Sequence, residues 1–374
     1  MQLDAFIAGE IRMNRVIRWG VLGTGGIARA VARDFRFVQD AELLAVASRE
    51  LTRAQAFAQR YDIARSYGSY NALLQDDDID VVYIATPHMR HADDALACIH
   101  AGKAVLCEKP FTINAREAQA VIQASRERGV FCMEAMWMRF TPLIREVKAR
   151  VEQREVGEVT HLTAEFGYPL RFDPSGRNFN PELGGGALLD RGIYPLSLSF
   201  HLLGSPASIA SEANLGSTGV DMTSHYRLHY DSGAEAVLSA SCEVYQPSEA
   251  TIRGTAGRIH IHGPFLRPHR ISVRRGVQSD GHRRQPSRWL TRTRVYQAVK
   301  RRLDKPLSAL GGQGDVFRRF PGLGYQFQFE AVTQSLQAGK LEHEIMPLDE
   351  TLAIMQAMDE MRQQWGLVYP SERL

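Results

Sequence analysis

Three polar side chains in this chain could move a proton between them. Lys109 sits in Glu108-Lys109-Pro110, directly after the apolar run Ala104-Val105-Leu106-Cys107, while Asp190 and Tyr194 stand four residues apart. That spacing puts both on one face of a helix. A tyrosine hydroxyl titrates near 10 in water, so it takes a proton from an alcohol only if its pKa is pulled down. A neighbouring ammonium favours the phenolate. Lys109 is therefore expected to lower the pKa of Tyr194, with Asp190 orienting or binding a sugar hydroxyl. Taken singly, each residue has an ordinary alternative: a lysine after a strand is usually on the surface, and a tyrosine in an apolar helix is usually core. An acid near a helix start can serve only the dipole. A further stretch, Met133-Glu134-Ala135-Met136-Trp137-Met138-Arg139-Phe140, offers Trp137 and Arg139 where a substrate could be gripped.

An alcohol that loses its proton must also lose a hydride, and the start of the chain offers a place for an acceptor. The apolar run beginning at Val16 leads into Gly23-Thr24-Gly25-Gly26-Ile27-Ala28. A strand ending in G-x-G-x-x-A and opening a helix is a dinucleotide-binding turn. Gly23 permits the turn, Gly25 lets backbone approach a pyrophosphate, and Ala28 lets the helix pack close to the strand. The helix start then offers unpaired N–H groups to the phosphates. A second strand, Glu42–Ala47, ends at Ser48-Arg49. An acid at this place holds a ribose 2′-OH, whereas an arginine accommodates a 2′-phosphate. NADP is expected over NAD, although Glu50 argues the other way.

The elements that must position these groups follow a regular rhythm. Helices are expected over Thr52–Arg60, Tyr70–Leu74 and Ala115–Arg126, and strands over Asp80–Ala85, Ala104–Cys107 and Val130–Met133. The near-continuous apolar strands suit a parallel sheet covered on both faces. Ligands bind beyond the carboxyl ends of such strands. There lie the glycine turn, Ser48-Arg49, Thr86-Pro87-His88 and Glu108-Lys109-Pro110. Thr86, Pro87, His91, Glu108 and Lys109 join the glycine turn and Ser48-Arg49 as the expected cofactor-facing set. The fold expected is α/β, with an N-terminal Rossmann doubly wound parallel sheet over residues 16–135. An α+β domain with a large, mostly antiparallel open sheet follows over 136–374. Its strands are Val159–Phe166, Ala207–Ala213, Thr223–Tyr230, Glu235–Glu243, Ala250–Arg253 and Gly257–Ile261, with late helices at Tyr325–Ala338 and Leu348–Trp365.

Composition narrows the class without choosing a partner. The 374 residues carry a net charge of +3, so bulk electrostatics favours no polyanion. Four scattered cysteines make no metal-ligand spacing, and three lie in apolar runs, which fits a reducing compartment. No metal site is expected. The chain has no apolar run long enough for a membrane span, and a cytoplasmic location is expected. Residues 1–15 read as a leader that can be disordered, with Met13 an alternative natural start. Arg267–Lys305 holds thirteen Arg or Lys against two Asp, which reads as a solvated loop rather than a nucleic-acid site.

The set GTGGIA, EKPF, EAMWMRF, GGGALLDRGIYPLS and the tail EIMPLDETLAIMQAMDEMRQQWGLVYP resembles the Gfo/Idh/MocA oxidoreductases. Within that family it is most similar to the branch of dimeric dihydrodiol dehydrogenase and NADP-dependent D-xylose dehydrogenase. The resemblance spans Val16 to Pro370. It implies Lys109 as catalytic lysine, Tyr194 as the tyrosine of this branch, and Asp190 as the aspartate a turn before it. Trp137 and Arg139 would border the substrate pocket. It also implies hydride transfer between NADP and a sugar, cyclic polyol or dihydrodiol, in a homodimer or higher homo-oligomer. The stretch between Phe265 and Gly322 is longer than this branch usually carries. Two other readings stand beside this one. One is a glycoside hydrolase using tightly held NAD, against which Ser48-Arg49 counts. The other is a nucleotide-sensing regulator, which would not need a proton acceptor.

Overall fold

The computed structural model describes residues 15–276 and 314–373. The leader up to residue 14 and residues 277–305 of the basic stretch lie outside the described residues. Six short strands form the first sheet: β1 Ile17–Leu22, β2 Ala41–Ala47, β3 Arg65–Tyr67, β4 Val81–Ile84, β5 Ala104–Cys107 and β6 Cys132–Glu134. All pairs are parallel, in the order β3-β2-β1-β4-β5-β6. Strand order reverses between β1 and β4, and a crevice opens beyond their carboxyl ends. Helices α1 Gly26–Asp34, α2 Leu51–Tyr61, α3 Tyr70–Leu74, α4 His91–His100 and α5 Ala115–Arg128 connect the strands. The edge strand β3 was not anticipated; at three residues, all half-buried, it has too short a pattern to read.

A helix that the sequence reading left out, α6 Pro142–Glu152, leads into the second sheet. Pro142 opens it at a position where a missing N–H costs nothing, and Leu143, Ile144 and Val147 bury its inner face. The second sheet has eight strands in the order β14-β13-β12-β11-β7-β10-β9-β8. They are β7 Val159–Gly167, β8 Ser208–Leu215, β9 Asp221–His229, β10 Glu235–Ser241, β11 Ala250–Gly254, β12 Gly257–Ile261, β13 Arg270–Arg275 and β14 Asp315–Phe317. Every pair is antiparallel except β7 with β10. Alternate residues such as Leu238, Ile252 and Ile259 are buried on the inner face. There α7 Ile193–Leu203 packs against β7 and β10, and every one of its residues but the last is buried.

β13 corrects the reading of a solvated loop for the described start of the basic stretch, Arg270–Arg275. Its Ile271 and Val273 are buried, while Arg270 pairs with Asp315 at 2.7 Å and Arg275 with Glu155 at 2.8 Å. Arg270 and Arg274 alternate with the buried Ile271 and Val273, and Arg275 ends the strand exposed. The last two helices, α8 Gln326–Gln337 and α9 Leu348–Trp365, turn back to the first sheet. The Phe329 ring lies 4.7, 5.1 and 5.5 Å from those of Trp19, Tyr83 and Phe35. α9 packs on α5, where Asp359 accepts from the Ala115 N–H at 2.8 Å. No described helix is long and apolar enough to cross a membrane.

Candidate active site

Two cavities meet at the carboxyl ends of the first sheet. The larger, about 630 Å³, runs from the glycine turn to Lys109, and the smaller, about 510 Å³, opens toward the second sheet. Lys109, Arg177, Asp190 and Tyr194 border both. Every residue assigned from sequence to a cofactor borders the larger cavity, including Gly26, Ile27, Ser48, Thr86, Pro87 and His91.

The glycine turn fits a pyrophosphate. Gly23 has φ +101°, and a Cβ there would stand 2.7 Å from the Ala85 carbonyl oxygen, pressing the β1 loop into the β4 loop. At Gly25 a Cβ would meet no protein atom within 4 Å, so the backbone presents itself bare to the cavity. α1 starts there with no acidic residue in its first turn, which leaves its dipole open to an anion. Arg49 and Arg53 line the far end. Glu50, which also borders this cavity, pairs with Arg53 at 2.9 Å in an exposed ion pair.

His91 and Glu108 hold the wall. The ring nitrogens of His91 lie 2.7 and 3.0 Å from the carbonyl oxygens of Pro110 and Thr86, tying the β5 loop to the β4 loop. Glu108 accepts from the Tyr83 hydroxyl at 2.5 Å, and burial pushes its carboxyl up. The Thr86 hydroxyl donates to buried Asp94 at 2.7 Å.

Lys109, Asp190 and Tyr194 stand where the cavities join. Lys109 Nζ donates to the Asp190 carbonyl oxygen at 2.6 Å and lies 3.3 Å from its Oδ1. The same carboxylate accepts from Arg177 at 3.2 Å and Asn178 at 2.9 Å. Burial opposes its charge, yet Lys109 and Arg177 hold the Asp190 carboxyl well below the usual carboxylate range. Arg177 also donates to His88 Nε2 at 2.9 Å, while His88 Nδ1 lies 3.3 Å from the Gly184 carbonyl oxygen. That fixes His88 as a neutral ring with its proton on Nδ1. Arg177, His88 and Asn178 escaped the sequence reading as site residues; Arg177 and Asn178 come from an irregular loop with no periodicity to read.

One expectation needs correction. Asp190 and Tyr194 do not share an ordinary helix: Leu188–Gly192 is a π-helical turn, and the α-helix carrying Tyr194 begins only at Ile193. The wider turn changes which residues align. Lys109 is the cation beside Tyr194. Its ammonium sits over the ring, 4.7 Å from the centroid, rather than at the hydroxyl. Burial, then the Glu108 charge, push Tyr194 well above its ordinary value, although Trp137 Nε1 donates to the hydroxyl at 3.1 Å.

Trp137 and Arg139 part company. Trp137 borders the smaller cavity, with its ring 4.7 Å from that of Tyr325. Arg139 is fully buried and borders neither cavity; it pairs with Glu350 at 2.7 Å and donates to Ser197 Oγ and O at 2.8 Å. The reason is positional. The 3₁₀ turn Trp137–Phe140 points successive side chains in different directions, so a cation two residues from a pocket tryptophan faces the interior. Phe166, Tyr168, Arg267 and Tyr325 also line the smaller cavity.

Known proteins share this arrangement at the level of sequence and fold. Residues 17–136 match the model of an oxidoreductase family with an NAD-binding Rossmann fold, and residues 144–260 match the GFO/IDH/MocA C-terminal domain. The trans-1,2-dihydrobenzene-1,2-diol dehydrogenase of Xenopus tropicalis is 34% identical over 94% of this chain and 99% of its own. The NADP(+) D-xylose 1-dehydrogenase of Hypocrea jecorina is 32% identical, over 95% and 93%. Among solved structures, a 3-ketoreductase from Actinomadura kijaniata, in complex with TDP-benzene and NADP, superposes with a TM-score of 0.72 at 25% identity. It covers 92% of this chain and 96% of its own. Two family models placed end to end, on a Rossmann sheet and on the sheet that follows, leave one assignment: the chain belongs to the GFO/IDH/MocA oxidoreductase family.

Proposed function

We propose that the protein is an NADP-dependent dehydrogenase that moves a hydride between the nicotinamide and a hydroxyl-bearing carbon of a sugar, cyclic polyol or dihydrodiol. The observation that carries this reading is the shared wall of Lys109, Asp190 and Tyr194 between a cavity built for a dinucleotide and a second cavity of substrate size. The dehydrogenase names of the relatives, and the NADP of the ketoreductase structure, support the chemistry and the cofactor. The bare backbone at Gly25 and the α1 start would hold the pyrophosphate, and Arg49 with Ser48 the 2′-phosphate. When bound, the nicotinamide supplies or accepts the hydride.

Tyr194 and Lys109 are the proton-handling pair. With its pKa held up, Tyr194 stays a phenol and suits donating a proton to the oxygen of a carbonyl being reduced. In the oxidative direction the same hydroxyl must first lose its proton, so that direction gains with rising pH. Asp190 fixes the Lys109 ammonium beside the ring and offers a carboxylate to a substrate hydroxyl. Trp137 orients the Tyr194 hydroxyl and walls the substrate cavity.

Residues 16–135 form the cofactor half of this reading and 136–374 the substrate and dimerisation half. Four buried free thiols support a reducing, cytoplasmic setting. Exposed Val237, Val244 and Tyr245 in and after β10 support association with a second copy through the second sheet. The deciding experiment screens purified protein with NADP and NAD against pentoses, hexoses, inositols and dihydrodiols, read at the nicotinamide absorbance. Turnover of one class with NADP supports the reading. Tight NADP binding without turnover of any, in either direction, favours the nucleotide sensor.

A further inference from the structure

The outer face of the second sheet carries a side-chain cluster that the reaction does not use. Strand residues alternate between faces. Ile259 and Ile261 of β12 are buried toward the helix layer, while His260 and the following His262 lie on the opposite side, half-buried. The antiparallel register sets Thr251 against His260 and Ala250 against Ile261, which brings Glu249 level with His262. One nitrogen or oxygen from each of Glu249, His260 and His262 lies within 4.8 Å of the others.

Each imidazole is anchored through one ring nitrogen and keeps the other. His260 Nδ1 lies 2.9 Å from Thr251 Oγ1, while its Nε2 faces Glu249 at 3.2 Å. His262 Nε2 lies 2.7 Å from Ser272 Oγ on β13, which leaves Nδ1. A polar partner on the far nitrogen is what fixes the tautomer and ring plane of a metal-ligating histidine. A simple ion pair of His260 with Glu249 does not account for His262, whose ring sits 4.4 Å from that of His260.

We propose that Glu249, His260 and His262 bind a divalent transition metal ion, with Zn²⁺ the best match. Two imidazoles and one carboxylate suit zinc, whereas Mg²⁺ and Ca²⁺ take oxygen ligands. Ligand atoms around tetrahedral zinc sit about 3.4 Å apart, so the cluster closes by small side-chain rotations. Glu249 and His260 are 38% and 28% exposed, which gives the ion access and leaves a fourth position to water. β12 runs directly into Pro264, Leu266 and Arg267 at the substrate cavity. A metal clamping β11 to β12 would stiffen the root of that loop without touching the reacting groups.

The test uses the full, untagged chain, stripped with EDTA and dialysed against zinc chloride. One zinc per chain should be retained, and Co²⁺ in its place should show visible d–d absorption bands. His262→Asn and Glu249→Gln should each weaken zinc affinity at least about thirtyfold, and Thr251→Val about tenfold. NADP affinity and far-ultraviolet circular dichroism should not move in any of them. If a ligand variant also loses its fold, Thr251→Val decides, because the strand keeps a β-branched residue there. No retained zinc, or equal zinc affinity in wild type and Thr251→Val, overturns the proposal.

Discussion

Replacing Tyr194 by phenylalanine should separate the chemistry of this site from its architecture. The ring keeps its place under the Lys109 ammonium and beside Phe166, whose centroid is 5.7 Å away, so packing is preserved. What disappears is one hydroxyl with two jobs. As proton donor it is worth about 10²–10⁴-fold in rate, or about 2.7–5.4 kcal/mol of barrier at 1.36 kcal/mol per tenfold. As acceptor of the Trp137 N–H at 3.1 Å it satisfies a buried donor, and its loss should cost about 1–3 kcal/mol of stability. NADP affinity should change little, because the glycine turn and Arg49 are untouched. Steady-state kinetics in both directions, a cofactor titration and urea unfolding read the three effects separately. Lys109→Met should lose at least as much rate, and the double variant far less than the product, since both act on one proton transfer. Because burial and Glu108 hold the Tyr194 pKa up, wild-type carbonyl reduction should stay flat toward pH 10 while oxidation keeps rising. A Tyr194→Phe enzyme within fivefold of wild type, or an oxidation plateau near pH 8, would refute this assignment.

Three further perturbations test the surroundings. Arg49→Asp should cut the preference for NADP over NAD by more than tenfold, a charge-assisted contact being worth roughly 1.5–3 kcal/mol; parallel titrations of both cofactors decide it. Arg139→Met should cost about 3 kcal/mol in urea unfolding, because it strands Glu350 beside a fully buried site, while NADP affinity stays unchanged. A cost below 1 kcal/mol would show that the pair is not structural. Burial pushes the Glu134 carboxyl from 4.5 up to about 7. The folded state therefore holds this proton more tightly, so its contribution is full below pH 4.5 and is lost as pH rises toward 7. Glu134→Gln should accordingly gain up to about 3 kcal/mol over wild type at pH 8 and nothing at pH 4; equal gains at both would exclude titration as the cause.

The sequence made some of this arrangement legible for a physical reason. Parallel strands buried on both faces read as unbroken apolar runs, so β1, β2, β4 and β5 and the groups at their ends could be located directly. Tyr70–Leu74, Gly257–Ile261 and Leu348–Trp365 fell where their patterns end. What stayed hidden depends on distant partners. Arg139 looks like a pocket cation until Glu350 and Ser197 arrive from later helices. Arg177 and Asn178 belong to a loop whose shape is fixed by contacts with His88 and Asp190 rather than by any local repeat. The π-turn at Leu188–Gly192 leaves no signature in a heptad-like pattern. β13 was concealed by its own arginines, since charge outweighs the alternation of Ile271 and Val273 unless Asp315 and Glu155 are known to wait for them.

The return of α8 to the first sheet bears on how the chain comes off the ribosome. Trp19, Phe35 and Tyr83 are made early, yet the ring that covers them, Phe329, lies near the carboxyl end. A nascent chain that has completed all six parallel strands still shows that aromatic face to water. The first half to be synthesised is thus the last to be finished. Its exposed face is a natural handle for a chaperone during translation, and a deletion beginning anywhere before Gln326 would damage the cofactor half from a distance.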